Sequence, residues 1–227
     1  MTKQNDQARA RRRPWLVAAA AALALSGVAV SVTGARADAG RRQQTPAEVS
    51  RSAPSAQPAT TAAGIKNFGR VNENYYRGAQ PGPEGMAELR RLGVRTVIDL
   101  RKDRKPEAEG WAEAAGLKYV NLPLVASRPA TEAETEQFLR LVNDPANWPV
   151  FVHCKGGRHR TGALTAVFRI THDGWTADQA FDEMLKYDFN NGGLFGGGDG
   201  RKRQKQFVYD FYARHAATAE RAGAGRQ

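Results

Sequence analysis

The chain reads as an α/β layered domain, a largely parallel central sheet flanked by helices. Three observations predict it. Short apolar runs at 95–100, 117–121 and 150–153 have strand length and no helical period. Between them lie segments with apolar residues at helical spacing and clear start and stop signals. The two kinds alternate along the chain, the order that yields parallel strands joined by helical crossovers. The 227 residues suffice for one such domain with extensions, and no internal repeat is visible.

In order, Tyr75-Tyr76-Arg77 reads as a strand. A helix over 83–92 opens on Pro83 and closes at Gly93. The buried strand 95–100 follows, then a helix over 106–115 with Pro106 in its first turn and Gly116 at its end. Strand 117–121 precedes a helix over 131–142, where Thr131 and Glu134 have the spacing of a capping box. Asp144-Pro145 then turns the chain into the central strand, 150–153. Further helices are predicted over 160–171, over 176–186 with Thr176 and Gln179 as a second capping box, and over 204–219. Trp111, Trp148 and Trp175 sit beside element ends and read as core or edge packing. His172 and His215 read as capping or solvated groups.

Four segments follow: a signal peptide or anchor over 1–37, a linker over 38–64, a folded domain over 65–217 and a flexible tail over 218–227. Arg9, Arg11, Arg12 and Arg13 precede an uncharged, mostly apolar run from Trp15 to Val32, and Ala35-Arg36-Ala37 is a small-x-small site. That is the layout of a bacterial secretory signal cleaved after Ala37. The run also approaches the roughly 20 residues that span a bilayer, so an uncleaved anchor fits as well. Either arrangement exports the domain, to the periplasm, the medium or the outer face of the inner membrane. Residues 38–64 are rich in Ala, Ser, Thr, Gln and Pro and nearly lack large apolar side chains, which predicts disorder.

The formal net charge is +11, of which residues 1–51 supply +6. The basicity is therefore largely terminal, and no aromatic residues interleave with a basic stripe, which argues against nucleic acid as a partner. The run Arg201-Lys202-Arg203-Gln204-Lys205 reads as a solvated helix start, or as an attractor for an anionic substrate or surface. The glycine-rich segment 190–200 lacks the Gly-Lys-Ser/Thr ending of a nucleotide loop and reads as a surface loop.

The most informative stretch is His153-Cys154-Lys155-Gly156-Gly157-Arg158-His159-Arg160-Thr161-Gly162, which holds the only cysteine. It begins at a strand end and finishes in a helix start. A tight loop with converging amides at the positive end of a helix dipole binds phosphoryl oxygens. Gly156 and Gly157 permit the sharp turn. Arg160 adds a bidentate, permanently charged fork. The same surroundings lower a thiol pKa to roughly 3.5–7.5, against about 8.5 when free. Cys154 is then a thiolate nucleophile, and the expected intermediate is a phosphocysteine hydrolysed by water. Thr161 is placed to hydrogen-bond the sulfur, and His153 to orient the loop. Lys155, Arg158 and His159 add positive charge around the substrate, which suits an ester with several phosphates. One cysteine and four scattered histidines give no metal-ligand spacing. Arg77 reads either as a strand-end phosphate ligand or as the structural partner of Asp99.

This signature resembles that of the protein tyrosine and dual-specificity phosphatase superfamily. Asn67-Phe68-Gly69-Arg70-Val71, Tyr75-Tyr76-Arg77-Gly78-Ala79-Gln80-Pro81 and Val97-Ile98-Asp99-Leu100-Arg101 are similar to stretches of the atypical dual-specificity phosphatases of plants and fungi and their bacterial relatives. The resemblance covers residues 65–215. It implies a cysteine-phosphatase fold and hydrolysis of phosphate monoesters, of phosphotyrosine or inositol phosphate type. The rival is a phospho-ligand-binding module of the same fold that turns over poorly. The superfamily's Asp general acid has no counterpart here, because residues 122–131 contain no carboxylate. Glu132, Asp103 and Glu107 are the candidates. The reading implies no cofactor, no metal, a phosphorylated anionic partner, membrane contact only through an N-terminal anchor, and a monomer.

Overall fold

The computed structural model describes residues 61–62, 64–190 and 198–224. The signal or anchor, most of the linker and the core of the glycine-rich segment lie outside the described residues.

A short antiparallel ladder joins β1 (Thr61–Ala62) to β2 (Ile65–Lys66). The main sheet contains β3 (Gly69–Asn72), β4 (Tyr75–Ala79), β5 (Thr96–Arg101), β6 (Lys118–Leu124) and β7 (Val150–Cys154), in the spatial order β3-β4-β7-β5-β6. The β3–β4 pair is antiparallel and the other three pairings are parallel. The helices are α1 (Pro83–Arg91), α2 (Ala108–Ala114), α3 (Glu132–Asn143), α4 (His159–Asp173), α5 (Ala177–Lys186) and α6 (Gly198–Ala224).

β7 occupies the middle of the sheet, and all five of its residues are buried. A strand covered on both faces needs no alternation, which explains its continuous apolar run. Its side chains alternate in direction. Val150, Val152 and Cys154 join Tyr75, Ile98, Leu100, Phe138, Leu164 and Phe168 on the α3/α4 face. Phe151 joins Ile65, Phe68, Met86, Leu89, Val97 and Ala112 on the α1/α2 face. Burying side chains of this size contributes roughly 1.5–3 kcal/mol each. Behind α4, Ala163, Ala166 and Ile170 pack against Ala180, Met184, Phe189 and Val208 from α5, α6 and their junction. Arg169 ties α4 to α5, donating to Glu183 at 2.7 Å and to Asp173 at 2.7 Å while its guanidinium covers the Trp175 ring.

Both capping boxes form, at Thr131 with Glu134 and at Thr176 with Gln179. Trp148 lies against the core edge and donates to the Val142 carbonyl at 2.7 Å. Several boundaries differ from expectation. α2 starts at Ala108 because the Ala108 amide closes a tight turn on the Lys105 carbonyl around Pro106. β6 continues past Asn121 to Leu124. The Asn121 side chain donates to the carbonyls of Asp99 and Arg101 and so bridges an irregularity in the β5–β6 ladder. α6 starts at Gly198 and runs to Ala224, so residues 218–224 are helix where a flexible tail was expected. His215 consequently lies within α6, stacked on Phe211, and not near its end.

Candidate active site

The parallel strands end together, and the site forms at their carboxyl edge, where an open α/β sheet offers a crevice. Cys154 is the last residue of β7, paired with Ala79 on β4, and is 4% exposed. Residues 155–158 turn sharply, and α4 begins at His159. Gly157 has φ 67°, the left-handed region, and a Cβ there would sit 2.5 Å from the Gly78 carbonyl carbon. The loop therefore lies directly on the backbone of β4, and only glycine fits.

Burial pushes the Cys154 thiol up, but the opposing influences are larger in sum. The Arg160 charge, the Thr161 hydroxyl and N–H, and the Gly156 N–H together hold it below its ordinary value. The Arg160 guanidinium is buried at the ends of β5 and β6, donating to the carbonyls of Leu124 at 3.2 Å and Leu100 at 3.4 Å. His153 is fully buried, and burial lowers its pKa to about 4, so the ring is neutral at pH 7. Its Nδ1 lies 3.2 Å from the Cys154 carbonyl, a contact that places the proton on Nδ1.

The wider ring of candidates separates. Lys155 is exposed at the start of the loop. Arg158 lies 3.6 Å from Asp188. His159 donates through Nε2 to the Phe189 carbonyl at 3.0 Å, and burial lowers its pKa. It thus anchors the loop to the end of α5 and does not supply the positive charge that the sequence suggested.

Of the three candidate acids, Asp103 alone is paired with Arg160, with Oδ1 3.5 Å from Nη1. Glu132 lines a groove between α3 and α6 with Leu139, Phe207, Phe211 and Arg214, and no residue of the cysteine loop lines that groove. Glu107 is an exposed residue at the start of α2. The loop at 125–131 is tied in place. Arg128 makes a two-pronged bond to Glu134 at 2.7 and 2.8 Å, Arg203 donates to the Ser127 carbonyl and Gln204 to the Arg128 carbonyl.

Arg77 is neither of the things its position suggested. It is fully buried, stacks 3.8 Å from the Tyr187 ring centre, and donates to the Gly157 carbonyl at 2.8 Å. Asp99 instead takes a bidentate bond from Arg101, Nε to Oδ1 and Nη2 to Oδ2, and a 2.7 Å bond from the Tyr119 hydroxyl. Burial raises the Asp99 pKa, but Arg101, His153 and Tyr119 outweigh it, and the carboxyl is held below its ordinary value. Arg101 also reaches the Gln80 side chain at 2.8 Å. Sequence reasoning missed Asn67 altogether as a site residue. It sits at φ 52° and donates to the Gly156 carbonyl at 2.8 Å.

A family model described as "DSP-PTPase phosphatase fused to NAD+ Kinase" matches residues 57–196, more than half of the chain. The chain belongs to this family. Among its relatives is the dual specificity protein phosphatase TpbA of Pseudomonas aeruginosa, 36% identical over 126 residues, or 55% of this chain and 56% of that protein. The chain thus spans about half the length of this curated relative. An inositol diphosphatase of Arabidopsis thaliana is 29% identical over 150 residues, 64% of this chain and 70% of that one. The crystal structure of a cysteine-to-serine variant of P. aeruginosa TpbA in complex with phosphotyrosine superposes with a TM-score of 0.55. It is 30% identical and covers 71% of this chain and 95% of that one.

Proposed function

We propose that this family member hydrolyses phosphate monoesters through a phosphocysteine intermediate. The single observation that carries the proposal is the thiol at the focus of Arg160, Thr161 and the Gly156 amide, held below its ordinary pKa despite burial. A thiol so placed is shifted toward its nucleophilic thiolate form and is shielded from water. Cys154 is the nucleophile. Arg160 and the loop amides bind the equatorial oxygens and stabilise their charge in the transition state. Thr161 assists departure of the sulfur in the second step, and His153 holds the start of the loop. Asp103 is the carboxylate best placed to protonate the leaving group, by its approach to Arg160.

The names of the relatives support two substrate types, phosphotyrosine and inositol phosphates. With His159 held below its ordinary pKa and Arg158 beside Asp188, Lys155 is the main cation left on the loop for additional phosphates. Phosphate release from an aryl phosphate, phosphopeptides and inositol polyphosphates, measured side by side, tests the reading. Cys154→Ser should lose at least about 10³-fold in turnover and still bind vanadate, and a chelator should leave the wild type unaffected. Near-wild-type turnover of Cys154→Ser, or loss of activity to the chelator, would sink the mechanism.

The proposal includes export. It rests on the basic stretch at Arg9–Arg13, the apolar run 15–32 and Ala35-Arg36-Ala37. Mature protein from the native host should begin near Asp38. Intact, soluble full-length protein in the cytoplasm would overturn it.

A further inference from the structure

A phosphoryl-binding loop works only if its amides face inward, and nothing in five short residues compels that by itself. A planar trans peptide points its carbonyl and the next residue's N–H in opposite directions. Fixing the carbonyls outward therefore fixes the amides inward. Each carbonyl from Cys154 to Arg158 has a donor. His153 Nδ1 meets that of Cys154 at 3.2 Å, and the Gln80 amide meets that of Lys155 at 3.3 Å. The Asn67 side chain takes the Gly156 carbonyl and the Arg77 guanidinium the Gly157 carbonyl, both at 2.8 Å. The Gly162 amide takes that of Arg158 at 3.0 Å as α4 begins.

Three of these five donors come from one stretch of chain, residues 67–80, which runs through β3 and β4. We propose that Asn67 and Arg77 are positioning residues of the anion site. With the Gln80 amide they form an outer clamp that holds three consecutive loop carbonyls turned away from the substrate. The clamp explains two otherwise costly features. Asn67 adopts a left-handed backbone, which aims its amide at the loop. Arg77 is a fully buried cation whose Nε and Nη1 have no hydrogen-bond partner. Such a group is expensive for stability alone. Behind a loop that binds an anion, its charge is of the useful sign, and it sits beside the first turn of α4, with Nη2 3.7 Å from where a Gly162 Cβ would be.

The inference rests on the loop being a phosphoryl site, so the experiment separates the two. In the full chain, vanadate inhibition, kcat, KM on an aryl phosphate and the melting temperature are measured for Asn67→Gly and Asn67→Asp. Glycine keeps the left-handed backbone and deletes only the donor. Losing one such bond should weaken vanadate inhibition about three- to tenfold and lower kcat/KM in parallel, with an unchanged melting temperature. Asn67→Asp, which turns a carboxylate oxygen on the Gly156 carbonyl, should fall below Asn67→Gly. Arg77→Met should lose more than either, and Arg77→Lys should recover part of the loss. Should Arg77→Met fail to fold, the Asn67 pair decides. Both Asn67 variants within twofold of wild type in vanadate inhibition and KM would overturn the clamp while leaving the phosphatase reading intact. A wild type blind to vanadate and inorganic phosphate would overturn both.

Discussion

At the scale of single residues, the unusual feature is the placement of carboxylates. The loop after β6 carries none before Glu132, and Glu132 faces the α3/α6 groove. Asp103 approaches from the turn after β5 instead. A general acid is worth roughly 10²–10⁴-fold, and chiefly on leaving groups that depart badly without a proton. Asp103→Asn should therefore cost about 10²-fold on simple alkyl phosphates and little on nitrophenyl phosphate. Equal losses on both would assign Asp103 to holding Arg160. His153 makes a second statement at this scale. Its pKa falls from 6.5 to about 4 on folding, so the unfolded chain binds the proton first as pH drops. Its contribution is complete above pH 6.5 and is lost as pH falls toward 4, at up to about 1.4 kcal/mol per pH unit. The window lies above that of Asp99, whose depressed carboxyl acts below 3.8. Urea midpoints between pH 4 and 7 should slope for the wild type and slope less for His153→Phe, with His159 supplying the rest.

At the scale of elements, the strand–loop–helix unit around Cys154 was legible because every local signal agreed. An unbroken apolar run, two glycines and a helical period allow one arrangement at that spot. The two threonine caps were legible for the same reason. β4 was read from Tyr75 to Arg77, but β3 and the hairpin pairing were not, because β3 is only four residues long and its hydrophobic pattern is weak. Asn67 was missed with it, since its importance comes from a contact 89 residues away. Arg77 was noticed but misplaced. Sequence put it near the site without telling the front of the loop from the back. The closeness of loop and strand gives the element-scale prediction. Gly157→Ala adds a Cβ at 2.5 Å from β4 backbone on a left-handed residue. The loop must lift, and a displacement of about 1 Å can cost 10²-fold in rate. A loss of that order in kcat/KM is expected with α4 and the core unchanged by circular dichroism. Activity within a few-fold of wild type would refute the fit.

At the scale of the whole molecule, distant segments converge on one small loop. The outer clamp comes from residues 67–80, Arg160 rests on carbonyls of β5 and β6, and α6 grips the stretch before α3. The basic run at 201–205 belongs to this architecture. Arg201 donates to the Asn190 carbonyl, Arg203 and Gln204 hold residues 127 and 128, and Lys205 lies over Phe181 and Tyr209. Exchanging Arg203 and Gln204 together for alanine should speed amide hydrogen exchange at 125–130 and leave α4 protected. Unchanged exchange there would show that the Arg128–Glu134 pair suffices.

The grip of α6 also has a meaning in time. Ser127 and Arg128 receive their bonds from residues 76 positions later. A chain made from its N-terminus onward presents the cysteine, the arginine and the whole sheet well before α6 exists. Until that helix arrives, the stretch beside the site has only its own short-range pair to hold it. The stretch before α3 is therefore fastened last, only once the final helix has been made.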